Sequence, residues 1–198
     1  MKAIVFAAGL GTRLYPLTES MPKALVEVGG KPMLLRVLEK LRDAGIHEIV
    51  INVHHFPDMI IDYLRSNDGF GLKIMISDER GHLLDTGGGI LAARNYLDDG
   101  EPFIAHNADI LTDFNLSEMI TRHNESGADV TLLSADRSSS RYLLFDEAQR
   151  MVGWTNTKTG EVKPAGLKSD SLHRLAFGGV HVISPTVFGK LEEYRLRV

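Results

Sequence analysis

Five residues of strand character, Lys2 to Phe6, run without a break into Ala7-Ala8-Gly9-Leu10-Gly11-Thr12-Arg13-Leu14-Tyr15-Pro16-Leu17-Thr18, and Pro22-Lys23 closes the same loop. This junction constrains the fold more than any other stretch, because it sets backbone N–H groups and fixed cations together at the carboxyl end of an apolar strand. Glycine at 9 and 11 lets the backbone approach a ligand closely and adopt positive φ. Successive N–H groups in such a turn form a nest suited to phosphate. Arg13 brings a forked guanidinium and Lys23 a compact ammonium on a flexible stem. A nucleoside triphosphate suits this cradle.

Two common phosphate motifs fail on residues. A dinucleotide fingerprint needs a third glycine where Leu14 stands and an acid ending the second strand, which instead reads Asn52-Val53-His54-His55. A P-loop needs Ser or Thr after Gly-Lys, but Gly30-Lys31 is followed by Pro32, and leucine stands at position 25 where the first glycine belongs.

The rest of the chain supplies a frame for the loop. Pro32 to Ala44 reads as a helix with Leu34, Leu38 and Leu41 at helical spacing and Gly45 at its end. Glu48 to Val53 is a buried strand, Pro57 begins a helix stopped by Asn67-Asp68-Gly69, and Leu72 to Ile76 is a third strand. Asp85-Thr86-Gly87-Gly88-Gly89 opens a helix from Ile90 to Leu97, although each glycine costs about 1 kcal/mol against alanine in a helix interior. Pro102 to His106 is the fourth strand and delivers Asn107-Ala108-Asp109 at its carboxyl end. Asn115 with Glu118 reads as a capping box for a helix to about Asn124, and Asp129 to Ser134 is the next strand.

Strands alternating with helices over 1–134 predict a mostly parallel central sheet with helices on both faces, an α/β fold. Beyond it, Arg141 to Phe145, Met151 to Trp154 and Leu175 to Ile183 read as strands of a small, partly antiparallel lobe, followed by a helix from Pro185 to Tyr194. One domain is expected, with a nucleotide-binding half (1–134) and a smaller lobe (135–198). In a parallel sheet the ligand lies outside the strands' carboxyl ends at the switch point. A 3-2-1-4 strand order would therefore bring Asp109 beside the loop, where it could hold a hard cation against phosphates.

Composition excludes other classes. No cysteine occurs, so disulfide and thiolate chemistry are out, and 26 acidic against 22 basic residues give no field for nucleic acid or a membrane surface. The N-terminus shows no secretory pattern and no apolar run reaches the ~18 residues of a membrane helix, so a cytoplasmic enzyme is expected.

The string G-x-G-T-R-L-x-P-L-T followed by Pro-Lys resembles the signature of the sugar-1-phosphate nucleotidyltransferases, and the resemblance implies their Rossmann-like nucleotide-diphospho-sugar transferase fold. Leu84-Asp85-Thr86-Gly87-Gly88-Gly89-Ile90 is most similar to the corresponding segment of the bacterial N-acetylmuramate-1-phosphate uridylyltransferases, and mannose-1-phosphate guanylyltransferase-like members share the first motif. Carried over by position, the resemblance implies nucleotide binding at Ala7, Ala8, Gly9, Gly11, Thr12, Arg13, Lys23, Thr86, Gly87, Gly88 and Asn107. It implies catalysis by Arg13, Lys23 and Asp109, with Asp109 as the Mg²⁺ ligand, and transfer of a nucleotidyl group, UTP favoured, to a sugar 1-phosphate with release of pyrophosphate. It makes 135–198 a sugar-binding lobe, with sugar contacts from Gly179 in Phe177-Gly178-Gly179 and from Trp154, near which the family's glutamate–lysine pair gives way to Trp154-Thr155-Asn156, with Lys158 and Glu161-Lys163 displaced downstream.

Plainer roles stand beside these. The glycine step can equally be a bulge, Trp154 can fill a core, and His54, His55 and His106 read as structural, since neighbours on a strand face opposite ways. A nucleotide-sugar binding module without turnover is one rival. A glycosyltransferase is another, but it would usually carry Asp-x-Asp where Asn107-Ala108-Asp109 stands. The resemblance also implies a second metal aspartate near the C-terminus, yet no aspartate follows Asp170. The chain is therefore expected to be truncated and impaired, with an apolar face that favours a homodimer; robust Mg²⁺-dependent turnover would instead point to Asp85 or Asp113 as the second ligand.

Overall fold

The computed structural model describes residues 1–195. In chain order the elements are β1 (Lys2–Phe6), β2 (Glu27–Val28), β3 (Lys31–Pro32), α1 (Met33–Asp43), β4 (Glu48–Val53), α2 (Pro57–Ser66), β5 (Lys73–Asp78), α3 (Asp85–Ala92), α4 (Arg94–Leu97), β6 (Phe103–Asn107), α5 (Leu116–Ser126), β7 (Val130–Ala135), β8 (Arg141–Phe145), β9 (Met151–Asn156), β10 (Glu161–Lys163), β11 (His173–Ile183) and α6 (Thr186–Arg195). Two compact units result: Met1–Thr131 with the segment from His181 onward, and Leu132–Val180.

In the first unit, β1 pairs in parallel with β4 on one side and β6 on the other, and β5 pairs in parallel with β4. The order is β5-β4-β1-β6, the 3-2-1-4 arrangement expected of these strands. Register sets Phe6 opposite Asn107, so the chain leaves β1 and β6 side by side. Ile4, Val50 and Ala105 pack on one face with Ile90, Ala93, Leu97 and Phe188. Ala3, Val5, Ile49 and Ile51 alternate to the other face and are equally inaccessible, as are Leu34, Leu38 and Leu41 of α1 and Ile60 of α2. Both faces are thus covered, as a parallel sheet requires.

Local chemistry explains the helix ends. The Asn115 side chain accepts from the Ser117 and Glu118 amides and caps α5. The Glu118 carboxylate accepts from Arg122 one turn on, so the cap is that of Asn115 rather than a reciprocal box. Gly127, at φ 62°, closes the helix.

The second unit is a meander: β8 pairs antiparallel with β9, β9 with β10, and β8 with the start of β11. Burial alternates along β9, where Gly153 and Thr155 are enclosed and Met151 is exposed. β10 is absent from the sequence reading, because three residues with two charges carry no strand pattern. Its pairing with Asn156, Thr155 and Trp154 defines it instead.

The largest departure is α3. It begins at Asp85 rather than Ile90, so all three glycines are helical. Propensity argues against this, and packing overrides it at Gly89. A Cβ there would stand 2.9 Å from Glu79 Oε1 and 3.2 Å from Asn52 Nδ2. A Cβ on Gly88 would meet Leu84 Cβ at 2.8 Å. No helix among the described residues is long and apolar enough to cross a membrane.

Candidate active site

The loop after β1 closes on itself. Gly11 adopts φ 68° and starts a short 3-10 turn, Thr12–Leu14. Buried Thr18 donates from Oγ1 to the Gly11 carbonyl at 2.8 Å. A Cβ on Gly11 would lie 3.0 Å from Thr18 Cγ2 and 3.1 Å from Lys23 Cβ, so glycine is required here by conformation and by space. A second 3-10 turn, Lys23–Leu25, anchors the far end through buried Ala24 and Leu25.

This loop and the end of β6 enclose a cavity of about 390 Å³. Ala7, Gly9, Gly11, Thr12, Arg13, Lys23, Asn107 and Asp109 line it, joined by Phe6, Leu10, Ala24 and Ala108. Most sequence-predicted residues of the two segments therefore meet at one place. Ala8 is buried beside them and does not line the cavity. Within it Lys23 Nζ donates to Asp109 Oδ2, both side chains being partly buried. The expected phosphate cation and metal carboxylate are thus each other's partner in this structure.

Thr86, Gly87 and Gly88 lie in the first turn of α3, and none lines this cavity. Gly87 faces Leu191 of α6, which a Cβ would approach to 3.6 Å. Asp85 sits at φ 55°, a left-handed conformation uncommon outside glycine. Asp113 lines a separate cavity of about 640 Å³ between α1 and the 110–117 loop, apart from Asp109. Trp154 and Gly179 belong to the second unit. There the Lys163 ammonium lies 5.7 Å from the Trp154 ring centre, and Gly179 takes φ 80°.

His54 and His106 are held by backbone carbonyls. His54 Nδ1 lies 2.7 Å from the Glu79 carbonyl. His106 is fully buried and donates from Nδ1 to the Asn107 carbonyl at 2.8 Å. Burial pushes its imidazole down, and burial, with His106 adding to it, pushes His181 down to about 4. Both are neutral at physiological pH and offer no cation to a phosphate.

Two buried polar residues escaped the sequence reading. Asn52 and Glu79 are 2% and 4% exposed. Asn52 Oδ1 accepts from the Ala7 amide at 2.8 Å, and its Nδ2 donates to Glu79 Oε1 at 3.0 Å. The only signal available was a polar residue inside an otherwise apolar strand.

A glycine loop, two cations and a carboxylate thus meet outside the carboxyl ends of parallel strands, where open α/β sheets bind their ligands. The chain belongs to the nucleotidyl transferase family, whose model matches residues 2–142. It is 35% identical over 194 residues to the N-acetylmuramate alpha-1-phosphate uridylyltransferase of Caulobacter vibrioides, covering 93% of this chain and 76% of that protein. It is 39% identical over 196 residues to the mannose-1-phosphate guanylyltransferase catalytic subunit beta of Dictyostelium discoideum, covering 97% of this chain and 52% of that one. The chain spans about half the length of most of the curated relatives it matches. The fold matches a UDP-glucose pyrophosphorylase from Acinetobacter baumannii at TM-score 0.76 and 21% identity, covering 96% of this chain and 76% of that chain.

Proposed function

We propose that this chain joins a nucleoside triphosphate to a sugar 1-phosphate, releasing pyrophosphate and forming a nucleotide-diphospho-sugar. The observation that carries this reading is the convergence of Gly9, Gly11, Arg13, Lys23, Asn107 and Asp109 on one cavity. The sugar-phosphate oxygen is already anionic at neutral pH, so the reaction needs no general base. Alignment of two anionic reactants and neutralisation of their charge carry it instead. The loop amides and Arg13 orient the triphosphate, and Lys23 passes from Asp109 to phosphate oxygens as substrate binds.

Asp109 is the residue to hold Mg²⁺. It stands alone rather than in a cluster of three metal-ligating side chains among the described residues, which suits an ion bound by one or two carboxylates plus substrate phosphates and waters. Bound there, the metal would supply charge neutralisation at the phosphates. Residues 1–134 form the nucleotide-binding half in this reading and 135–198 the sugar-binding lobe, with Trp154 and Gly179 toward the sugar. Thr86, Gly87 and Gly88 contact the base.

Uridylyl transfer is favoured by the Asp85-Thr86-Gly87-Gly88-Gly89 string and by the relative of which the chain covers three-quarters. Guanylyl transfer is the second reading, favoured by the 39% identity to the Dictyostelium protein. A pyrophosphate-release screen of four NTPs against a panel of sugar 1-phosphates tests both. Release with UTP is expected, and release with GTP alone would select the second reading. Nucleotide binding without release for any pair would leave a binding module.

A further inference from the structure

We propose that Glu79 is a positioning residue, which through Asn52 fixes the loop beginning at Ala7 relative to the start of α3. The proposal rests on the reading of these two segments as nucleotide-binding. Its basis is a buried relay: the Ala7 amide donates to Asn52 Oδ1, Asn52 Nδ2 donates to Glu79 Oε1, and the Leu84 amide donates to Glu79 Oε2 at 3.3 Å. Leu84 is the residue from which α3 starts.

The relay has a direction that the residue types impose. A backbone amide offers only a proton, so Asn52 must turn its oxygen to Ala7, which leaves its NH₂ facing position 79. The Leu84 amide likewise offers only a proton. Position 79 must therefore accept twice, through two different atoms, while almost wholly removed from water. A carboxylate does this, whereas a glutamine supplies one acceptor and one donor. Burying a carboxylate is costly, and among the described residues no ion pair joins Glu79 to a lysine, arginine or histidine. The two donated hydrogen bonds and the positive end of α3 offset that cost. Gly89 belongs to the same device, since a Cβ there would press on both Glu79 Oε1 and Asn52 Nδ2.

The direction supplies the test, because it can be reversed without changing net charge. In E79Q the new NH₂ must face either the Asn52 NH₂ or the Leu84 amide, donor against donor, and in N52D two carboxylates face each other. In the double variant N52D/E79Q the new carboxylate at position 52 accepts from the Ala7 amide and from the new side-chain NH₂ at position 79. The side-chain oxygen at position 79 still accepts from the Leu84 amide, so every group in the relay is again matched. UTP and GTP are titrated calorimetrically into each full-chain variant, at a temperature where circular dichroism shows it folded, and exchange of the Ala7 and Leu84 amides is followed by NMR without nucleotide. Each single variant should bind nucleotide at least about tenfold more weakly and exchange both amides faster, and the double variant should recover most of both losses. A purely structural role would lower melting temperature without this reciprocal rescue of affinity. Wild-type affinity in E79Q, or a double variant no better than the singles or unable to fold, overturns the proposal alone. A wild-type chain that binds neither nucleotide overturns the proposed function and this role together.

Discussion

Along β1 and β4 of the first unit Ala3, Ile4, Val5, Ile49, Val50, Ile51 and Val53 are fully inaccessible, whereas along β8 of the second unit Leu144 alone reaches that state. The contrast follows from sheet type. Parallel strands covered on both faces bury every side chain, while an antiparallel meander buries alternate ones. The first unit therefore holds its loop termini on a frame with little freedom to adjust, and opens a cavity among loops at the strand ends. In the second unit the described residues form strands and turns without a helix, and of their hydrophobic side chains only Leu144, Ala176 and Val180 are fully inaccessible. Sequence change should therefore cost more in the first frame than in the second.

The largest expected effect challenges that frame directly. Phe188 of α6 stacks on Phe103 with ring centres 5.5 Å apart, and the Arg94 guanidinium lies 5.3 Å from its ring centre. Phe188→Ala should lower stability by about 3–5 kcal/mol in chemical denaturation. A loss under about 1 kcal/mol would mean that the first unit relaxes as easily as the second. Next come the loop cations. Lys23→Ala and Arg13→Ala should each reduce turnover about a hundredfold, roughly 3 kcal/mol of transition-state stabilisation, with melting temperature nearly unchanged. Turnover near the wild-type rate in either variant would remove that residue from the site.

The frame was legible because its strands are continuous apolar runs and its helices carry apolar stripes. Glu48–Val53 matches the expected strand at both ends. The meeting of the loop after β1 with the end of β6 was legible because the loop's residues are consecutive and the strand order follows from the alternation of strands and helices. What was not legible depends on contacts distant in sequence. Asn52 takes its meaning from Glu79, 27 residues on, and neither residue announces the other. The start of α3 was misjudged for a related reason: glycine propensity speaks against a helix there, and only the close approach to Glu79 and Asn52 explains why Gly89 is tolerated within one. The Lys23–Asp109 pair was invisible too, since the sequence assigned each charge to a ligand rather than to the other.

A smaller effect sharpens the comparison from the other side. A Cβ on Gly153 would fall 2.3 Å from Leu167 Cδ2 and 2.6 Å from the Lys163 carbonyl oxygen. The leucine can turn away, but the backbone oxygen is held by the β9–β10 pairing. Gly153→Ala should cost about 1–3 kcal/mol, read as faster amide exchange in β9 and β10, and should raise the KM for sugar 1-phosphate while leaving UTP affinity unchanged. A matching loss of UTP affinity would show that the two units do not divide the substrates as proposed.

The smallest effect separates stability from chemistry inside the first unit. Asn115 Oδ1 accepts from the Ser117 amide at 2.9 Å and the Glu118 amide at 3.4 Å, meeting two of the donors that the first turn of α5 leaves without helical partners. Asn115→Ala removes both bonds without creating a cavity, so stability should fall by about 1 kcal/mol. Asp109 lies on the chain just before this cap, but its position is set by β6, whose register to β1 ends at Phe6 opposite Asn107 and continues as the Ala108 amide donating to the Phe6 carbonyl at 3.0 Å. Turnover of Asn115→Ala at a temperature well below its melting point should therefore match wild type. A fall in turnover larger than the stability loss would mean that the 110–115 loop, and not the sheet alone, holds Asp109 in place.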